Sequence, residues 1–307
     1  MMRPPFVLCV MLRRTLILLL CALTGCAQLG HPPEPVPAAP VAAAPQPKPR
    51  PPRIGLALGG GAARGFAHIG VLEVLQEQGI HPDLVVGTSA GSLVAALYAS
   101  GKTPQELADL AQNLDESSLT DWMFPGRAVM RGEALARFVR SETGGLPIER
   151  MKIPLGIVAT DLHTGQSVLF QRGDVGSAVR ASSAVPAVFE PVRMGGHEYV
   201  DGGLSAPVPV HFARDMGADL VIAVDISAST RGNPTGNATQ MLLQTFAIMG
   251  KNINRYELQG ADVVVRPKLE GVSGTDFSSR RLAVLAGREA MLSQLPQLRA
   301  RIAALTR

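Results

Sequence analysis

The chain has 307 residues, and 46% of them are hydrophobic, which is enough for a sizeable folded core. It carries 29 basic and 25 acidic residues, and removing Arg3, Arg13 and Arg14 of a predicted leader leaves 26 basic residues. This near balance gives no support to a nucleic-acid partner.

The first 26 residues are predicted to be a lipoprotein signal peptide. Arg13 and Arg14 precede the apolar run 15–23, which is too short to span a bilayer and has the length of a signal-peptide core. The run leads into Leu-Thr-Gly-Cys, which resembles the lipobox of bacterial lipoproteins and implies that Cys26 is acylated. The alternative is a chance cysteine near an ordinary secretory cleavage site.

The residues after Cys26 predict which membrane the protein is anchored to and how the domain is linked to it. Ala27 stands where an aspartate is associated with inner-membrane retention, so we expect the periplasmic face of an outer membrane. Residues 27–53 are rich in Pro and Ala and predict a semi-rigid linker, which either tethers the domain near the bilayer or only spaces it. No cysteine follows Cys26, so we predict no disulfide and no thiolate metal site. We also predict no cofactor.

A glycine-rich segment follows the first predicted strand, an apolar run at 54–58. It reads Gly59-Gly60-Gly61-Ala62-Ala63-Arg64-Gly65 and opens a helical pattern. A dinucleotide-binding loop needs glycine where Arg64 stands, so that interpretation fails. We predict that Gly60 and Gly61 donate backbone N–H groups to the oxyanion of a tetrahedral intermediate. Arg64 is predicted either to bind a lipid phosphate or to hold the loop through a salt bridge.

A second glycine-flanked segment, Gly87-Thr88-Ser89-Ala90-Gly91, lies between an apolar strand pattern at 84–86 and a helical pattern at 92–98. Strand, sharp turn and helix are the context of a nucleophile elbow. The serine of such a turn has strained backbone geometry, and flanking glycines prevent crowding around it. Ser89 is therefore the predicted nucleophile.

The elements between and after these segments predict a layered α/β/α domain. Apolar runs at 153–159 and 219–224 are typical of central strands in a mostly parallel sheet. A less regular region at 117–150 contains Trp122 and is either a lid over the site or a helical insertion whose aromatic residues pack on the core. From Gln240 onward we predict a long helix, a strand at 261–265 and a final helix from about Arg280.

Asp201 is the predicted base for Ser89. The following Gly202 and Gly203 leave its carboxylate accessible and allow a sharp turn. A carboxylate can replace histidine as the base if a water-poor pocket raises its pKa. A triad that uses His211, the histidine after Asp201, remains open as an alternative.

Taken in order, GGGAARG, GTSAG and DGG resemble the motifs of the patatin-like phospholipases, and the block at 180–191 is similar to the family segment before the aspartate. The resemblance covers roughly residues 54–227. It implies a three-layer α/β/α patatin-like fold with a mostly parallel sheet and the hydrolysis of lipid acyl esters. By motif position it implies Ser89 as nucleophile, Asp201 as base and the Gly60 and Gly61 backbone as the oxyanion hole.

We therefore expect a signal peptide at 1–26, a linker at 27–53, a catalytic core at 54–228 and, at 229–307, helices and a strand that pack on the core. The predicted function is that of a lipid-anchored acyl hydrolase acting on membrane phospholipid or another acyl-ester lipid. One alternative is a membrane-tethered lipid-binding or regulatory module with little turnover. Another is an esterase or thioesterase with a soluble substrate.

Overall fold

The computed structural model describes residues 50–122, 127–272 and 277–306. Its strands are β1 Ile54–Leu58, β2 Leu84–Thr88, β3 Leu155–Asp161, β4 Ser167–Phe170, β5 Val192–Met194, β6 His197–Asp201, β7 Leu220–Val224 and β8 Val263–Val265. Its α-helices are α1 Ala67–Glu77, α2 Ala90–Ala99, α3 Pro104–Asn113, α4 Glu133–Glu142, α5 Val175–Ser182, α6 Val210–Asp215, α7 Ala238–Glu257 and α8 Arg280–Leu305. The predicted leader, Cys26 and the linker up to residue 49 lie outside the described residues.

All eight strands belong to one mixed sheet. The neighbours β8, β7, β1, β2 and β3 are parallel, whereas β4 and β6 pair antiparallel with β3, and β5 pairs antiparallel with β6. The central strands β1, β2 and β7 are buried along their whole length, which explains their continuous apolar runs. The prediction of a mostly parallel sheet is confirmed.

Helices cover both faces of this sheet. Leu56 and Leu58 of β1 belong to the apolar core on the face of α1 to α5 and α8, whereas Ala57 belongs to the core on the face of α6. The alternation follows from the pleat, since successive side chains of a strand point to opposite faces. The predicted three-layer α/β/α arrangement is confirmed.

The C-terminal elements extend this core. β8 pairs with β7, and α8 packs along α1 at a distance that excludes side chains. A Cβ at Gly70 would lie 2.0 Å from the Val284 carbonyl oxygen, and one at Gly287 would lie 2.0 Å from the Ala67 carbonyl oxygen. Glycine at both positions therefore lets the two helix backbones touch.

The region at 117–150 contains α4, which packs against α5. Asp121 accepts the N–H groups of Gly132 and Ala134 at 2.7 and 2.9 Å and so orders the start of α4. Trp122 is 74% exposed, so it does not pack on the core as one of the two alternatives for this region required. Residues 123–126 lie outside the described part, and a lid in this region stays a prediction.

The strands β2 and β6 meet along one side of β3. Val158 of β3 pairs with both β2 and β4, so these two strands lie on opposite sides of β3. Ala159 pairs with both β4 and β6, so β6 lies on the same side as β2. Thr88 at the end of β2 is opposite Val158, and Asp201 at the end of β6 is opposite Ala159. The register therefore brings Asp201 next to Ser89, the residue that follows Thr88.

Among the described residues, no helix combines the length and the apolar character that crossing a membrane requires.

Candidate active site

Ser89 lies in the sharp turn between β2 and α2. Its backbone angles are φ 53° and ψ −125°, a conformation that residues other than glycine rarely adopt. A Cβ at Gly87 would lie 2.4 Å from the Gly91 carbonyl oxygen, and a Cβ at Gly91 would lie 2.1 Å from the Leu58 carbonyl oxygen. Both flanking glycines are therefore required by close backbone packing, and the predicted strand, turn and helix are present.

Ser182 holds this turn in place. The Ser89 N–H donates to Ser182 Oγ at 2.8 Å, and the Ser182 hydroxyl donates to the Val158 carbonyl oxygen at 2.5 Å. Ser182 lies at the end of α5 and is fully buried. The sequence reasoning assigned no role to this residue, although it stands in the block at 180–191 that carried part of the family resemblance. A strained conformation persists only where such contacts fix it.

The side chains of Ser89 and Asp201 are hydrogen-bonded to each other. Ser89 Oγ donates to Asp201 Oδ2 at 2.7 Å, and the Gly203 N–H donates to Asp201 Oδ1 at 2.7 Å. Burial raises the pKa of Asp201 to about 6, although the hydrogen bonds from Ser89 and Gly203 act to lower it. At neutral pH this carboxylate is ionised, and it is a stronger base than an aspartate at the protein surface.

The glycine-rich loop lies directly against the serine, because a Cβ at Gly60 would be 3.1 Å from Ser89 Cβ. The Gly60 N–H donates to the Pro207 carbonyl oxygen at 2.9 Å, so the structure does not offer it as the predicted oxyanion donor. Within the described residues, the N–H groups of Gly61 and Ala62 have no acceptor. Both lie at the start of the 3-10 helix Ala62–Phe66, where backbone N–H groups lack intrahelical partners. The predicted donor Gly61 is thus unoccupied and the predicted donor Gly60 is not, while Ala62 has a second unoccupied N–H group.

His68 of α1 supports the loop from inside the protein. Its Nε2 lies 2.8 Å from the Gly59 carbonyl oxygen, and because a carbonyl only accepts, Nε2 carries the hydrogen. Burial lowers the pKa of His68 to about 4, so the ring is neutral at physiological pH. Sequence reasoning missed this residue because a single histidine in a helical pattern gives no distinctive signal.

His211, the base of the alternative triad, and His197, which lies four residues before Asp201, each contact a carboxylate other than Asp201. His211 Nδ1 lies 2.7 Å from Glu257 Oε1, and His197 Nδ1 lies 2.7 Å from Asp161 Oδ2. Neither histidine lines the cavity that contains Ser89. The arrangement gives no support to the histidine triad that the sequence left open.

The cavity at Ser89, here called the acyl cavity, has a volume of about 510 Å³. Its apolar wall comes mainly from the loop after α5, inside the block at 180–191, from the segment after Asp201 and from the helix α7. These three segments contribute Val185, Pro186, Leu204, Pro207, Leu243, Phe246 and Ala247. A largely apolar space that also contains the serine and the aspartate suits a fatty-acyl ester. Within the described residues, no cluster of three or more His, Cys, Asp or Glu side chains is arranged to hold a metal ion.

Arg64 lies at the edge of the acyl cavity. Its Nε is buried and has no hydrogen-bond partner in the part of the chain that the structure describes. Burial lowers its pKa, and the nearby charge of Asp225 acts in the opposite direction. The carboxylate of Asp225 instead accepts a hydrogen bond from Arg266 Nε at 3.3 Å. The salt bridge that was one of two predictions for Arg64 is thus not formed among the described residues.

A mostly parallel sheet, a serine in a strand-to-helix turn and an adjacent aspartate define an α/β protein with a paired serine and carboxylate. The family model for patatin-like phospholipases matches residues 56–214, about half of the chain, and the chain belongs to this family.

Several known proteins are similar to this chain. An uncharacterized NTE family protein of Mycobacterium tuberculosis is 39% identical over 184 residues, which are 59% of this chain and 51% of the relative. The patatin-like phospholipase domain-containing protein 6 of Mus musculus is 35% identical over 183 residues, which are 57% of this chain and 14% of the relative. This chain spans about half the length of the mycobacterial relative it matches.

The structure of VipD from Legionella pneumophila has a similar fold, with a TM-score of 0.58 and 15% sequence identity. The match covers 81% of this chain and 67% of VipD, and at this identity it shows the fold alone.

Proposed function

We propose that this protein is a lipid acyl hydrolase that cleaves fatty-acyl esters through a covalent intermediate on Ser89. The observation that carries the proposal is the 2.7 Å hydrogen bond from Ser89 Oγ to Asp201 Oδ2, two residues that line the acyl cavity. Membership of the patatin-like phospholipase family supports a lipid substrate.

The first half of the reaction forms an acyl-enzyme. Asp201 Oδ2 takes the Ser89 hydroxyl proton while Oγ attacks the ester carbonyl carbon. The resulting oxyanion accepts hydrogen bonds from the Gly61 and Ala62 N–H groups, and one such donor typically contributes ~3 kcal/mol of transition-state stabilisation. The carbon–oxygen bond to the alcohol then breaks, and the alcohol leaves with the proton from Asp201.

The second half returns the enzyme to its starting state. Asp201 accepts a proton from a water molecule, and the water oxygen attacks the acyl carbon on Ser89. When the intermediate collapses, Ser89 recovers its proton from Asp201 and the fatty acid leaves. One carboxylate therefore acts as base and acid in turn, and the Gly203 N–H at 2.7 Å fixes its orientation throughout.

A fluorophosphonate ester, read by intact mass, tests the nucleophile on the full-length protein. We expect one covalent adduct on the wild type, none on Ser89→Ala, and an unchanged adduct on Ser293→Ala, whose serine is exposed on α8. Hydrolysis of phospholipid vesicles by the same three proteins should follow the same pattern. A wild type that is folded but neither labelled nor active would overturn the proposal in favour of a lipid-binding module. Turnover of monomeric esters only would favour the soluble esterase.

We also propose that a lipid on Cys26 anchors the protein at the periplasmic face of an outer membrane, close to its substrate. The lipobox-like sequence before Ala27 and the Pro/Ala-rich linker at 27–53 support this proposal. Membrane fractionation of Cys26→Ala should show the protein released to the soluble fraction. Undiminished recovery with the outer membrane would contradict the anchor.

A further inference from the structure

A second cavity, here called the basic cavity, adjoins the acyl cavity and has a volume of about 600 Å³. Arg64, Ser227, Ala228 and Lys251 line both cavities, so the two spaces share a wall. Within the described residues the basic cavity is lined by two acidic side chains, Asp225 and Glu270, and by six basic ones. The basic residues are Arg64, Arg231, Lys251, Arg255, Arg266 and Lys268.

The charges in this wall are poorly balanced. Asp225 accepts hydrogen bonds from Arg266 Nε at 3.3 Å and from the Ser227 N–H at 3.1 Å, so much of its charge is already compensated. The remaining basic side chains converge on one concave space with only Glu270 as a further acid. Such a concentration of positive charge favours an anionic ligand.

Two buried polar atoms in the same wall have no hydrogen-bond partner in the described part of the chain. They are Arg64 Nε, a donor, and Asn254 Oδ1, an acceptor. Asn254 is only 4% exposed, and its Nδ2 donates to Ser227 Oγ at 2.9 Å, which fixes the orientation of the amide. Buried polar groups are normally paired. An unpaired donor and an unpaired acceptor in one cavity therefore indicate a ligand that supplies an acceptor for Arg64 and a donor for Asn254.

We propose that the basic cavity binds the headgroup of an anionic phospholipid whose acyl chain lies in the acyl cavity. The phosphate is recognised by Arg64 and the other cations, and a headgroup hydroxyl donates to Asn254 Oδ1. The inference rests on the proposed function, because it names the substrate class of the same site.

The chemistry of the cavity distinguishes between common headgroups. Phosphatidylglycerol carries a net negative charge and hydroxyl donors, which match the cations and the Asn254 acceptor. The quaternary ammonium of phosphatidylcholine has no N–H to donate, and its positive charge would lie among cations. The adjoining position of the two cavities favours a lipid headgroup over free phosphate, since a lipid with its acyl chain in one cavity has its headgroup near the other.

The test compares two monomeric lipids, dihexanoyl-phosphatidylglycerol and dihexanoyl-phosphatidylcholine, below the concentrations at which they form micelles. The variant is Arg255→Gln with Lys268→Gln, because both side chains line the basic cavity and neither lines the acyl cavity. The matched control is Arg281→Gln with Arg301→Gln, which removes the same charge from exposed positions on α8.

We expect the cavity variant to lower kcat/KM for the glycerol lipid roughly tenfold, as the loss of hydrogen bonds to a charged group predicts. The choline lipid should lose much less, because the two removed cations contact its phosphate but also repel its ammonium. Hydrolysis of p-nitrophenyl butyrate, which has no headgroup, should change little, and the control variant should behave like the wild type. An equal loss on both lipids, or the same loss in the control, would overturn the headgroup assignment.

A second measurement separates this proposal from the proposed function. If the wild type hydrolyses neither lipid, calorimetry with sn-glycerol 3-phosphate and with inorganic phosphate reports on the cavity alone. Saturable binding of sn-glycerol 3-phosphate that is lost in the cavity variant supports the headgroup site even though the activity is absent. Absence of binding, or equally tight binding of inorganic phosphate, refutes it.

Discussion

Asp201 should destabilise the folded protein at neutral pH, and replacing it should reveal by how much. Burial raises its pKa from the ordinary value of 3.8 to about 6. A group whose pKa is raised on folding contributes stability that is fully present below the unfolded pKa and is lost as pH rises through the folded pKa. Ionised Asp201, the form that accepts the Ser89 proton, is therefore also the form that lowers the stability of the folded state.

The size of the effect follows from the two pKa values. A difference of about 2 between the folded and unfolded pKa corresponds to ~3 kcal/mol of free energy of unfolding, lost between about pH 4 and pH 6. Asp201→Asn carries no charge at any pH and escapes this loss. The free energy of unfolding of the variant, relative to that of the wild type, should therefore increase by about 3 kcal/mol between pH 4 and pH 8.

Urea denaturation at pH 4 and pH 8 measures this gain, and taking the difference between the two pH values cancels effects of the substitution that do not depend on pH. Asp161→Asn is the control of opposite sign, since hydrogen bonds, first from the Thr164 N–H, lower the pKa of Asp161 to about 2. That variant should be less stable than the wild type at pH 8. An Asp201→Asn gain of zero would refute the assignment of Asp201 as a desolvated carboxylate.

Two further predictions concern the same carboxylate and the contact between the helices α1 and α8. The value of kcat/KM for p-nitrophenyl butyrate should rise with pH, reach half its maximum near pH 6 and stay level above, because only ionised Asp201 accepts the Ser89 proton. A value that falls as the pH rises through 6 would contradict the role of Asp201 as the base. Gly287→Ala places a Cβ 2.0 Å from the Ala67 carbonyl oxygen and should destabilise by ~3 kcal/mol or more in urea denaturation. Gly236→Ala, whose Cβ would meet nothing nearer than 3.5 Å, should unfold like the wild type, and equal midpoints for the two variants would refute the contact.

The parts of the site that sequence could predict are those written in local patterns. The turn at Ser89 follows from an apolar strand, two flanking glycines and a helical pattern, all within 15 residues of the chain. The aspartate before two glycines was identified in the same way, through its own turn chemistry and its place in the order of motifs. The strands β1, β2, β3 and β7 were predictable because burial on both faces requires continuous apolar runs.

The parts that sequence could not predict depend on which segments meet in three dimensions. The Gly60 N–H is occupied because the chain at Pro207 passes beside the loop, and no local pattern near Gly60 indicates that neighbour. Ser182 supports Ser89 from 93 positions away, and His68 supports the loop from inside α1. The exposure of Trp122 contradicts the usual burial of aromatic residues and has no sequence signal of its own.

The pairing of β2 and β6 along one side of β3 limits where the chain can gain residues without disturbing the site. Thr88, which precedes Ser89, pairs with Val158, and Asp201 pairs with Ala159. The spacing of these two consecutive β3 residues therefore sets the distance between the reactive groups. Insertions in the exposed β3–β4 connection at 162–166 leave that spacing unchanged. An extra residue between Val158 and Ala159 would lengthen it by ~3.3 Å, more than a hydrogen bond between serine and aspartate can accommodate. The outer connections can therefore change in length without separating Ser89 from Asp201, whereas β3 cannot gain a residue between Val158 and Ala159.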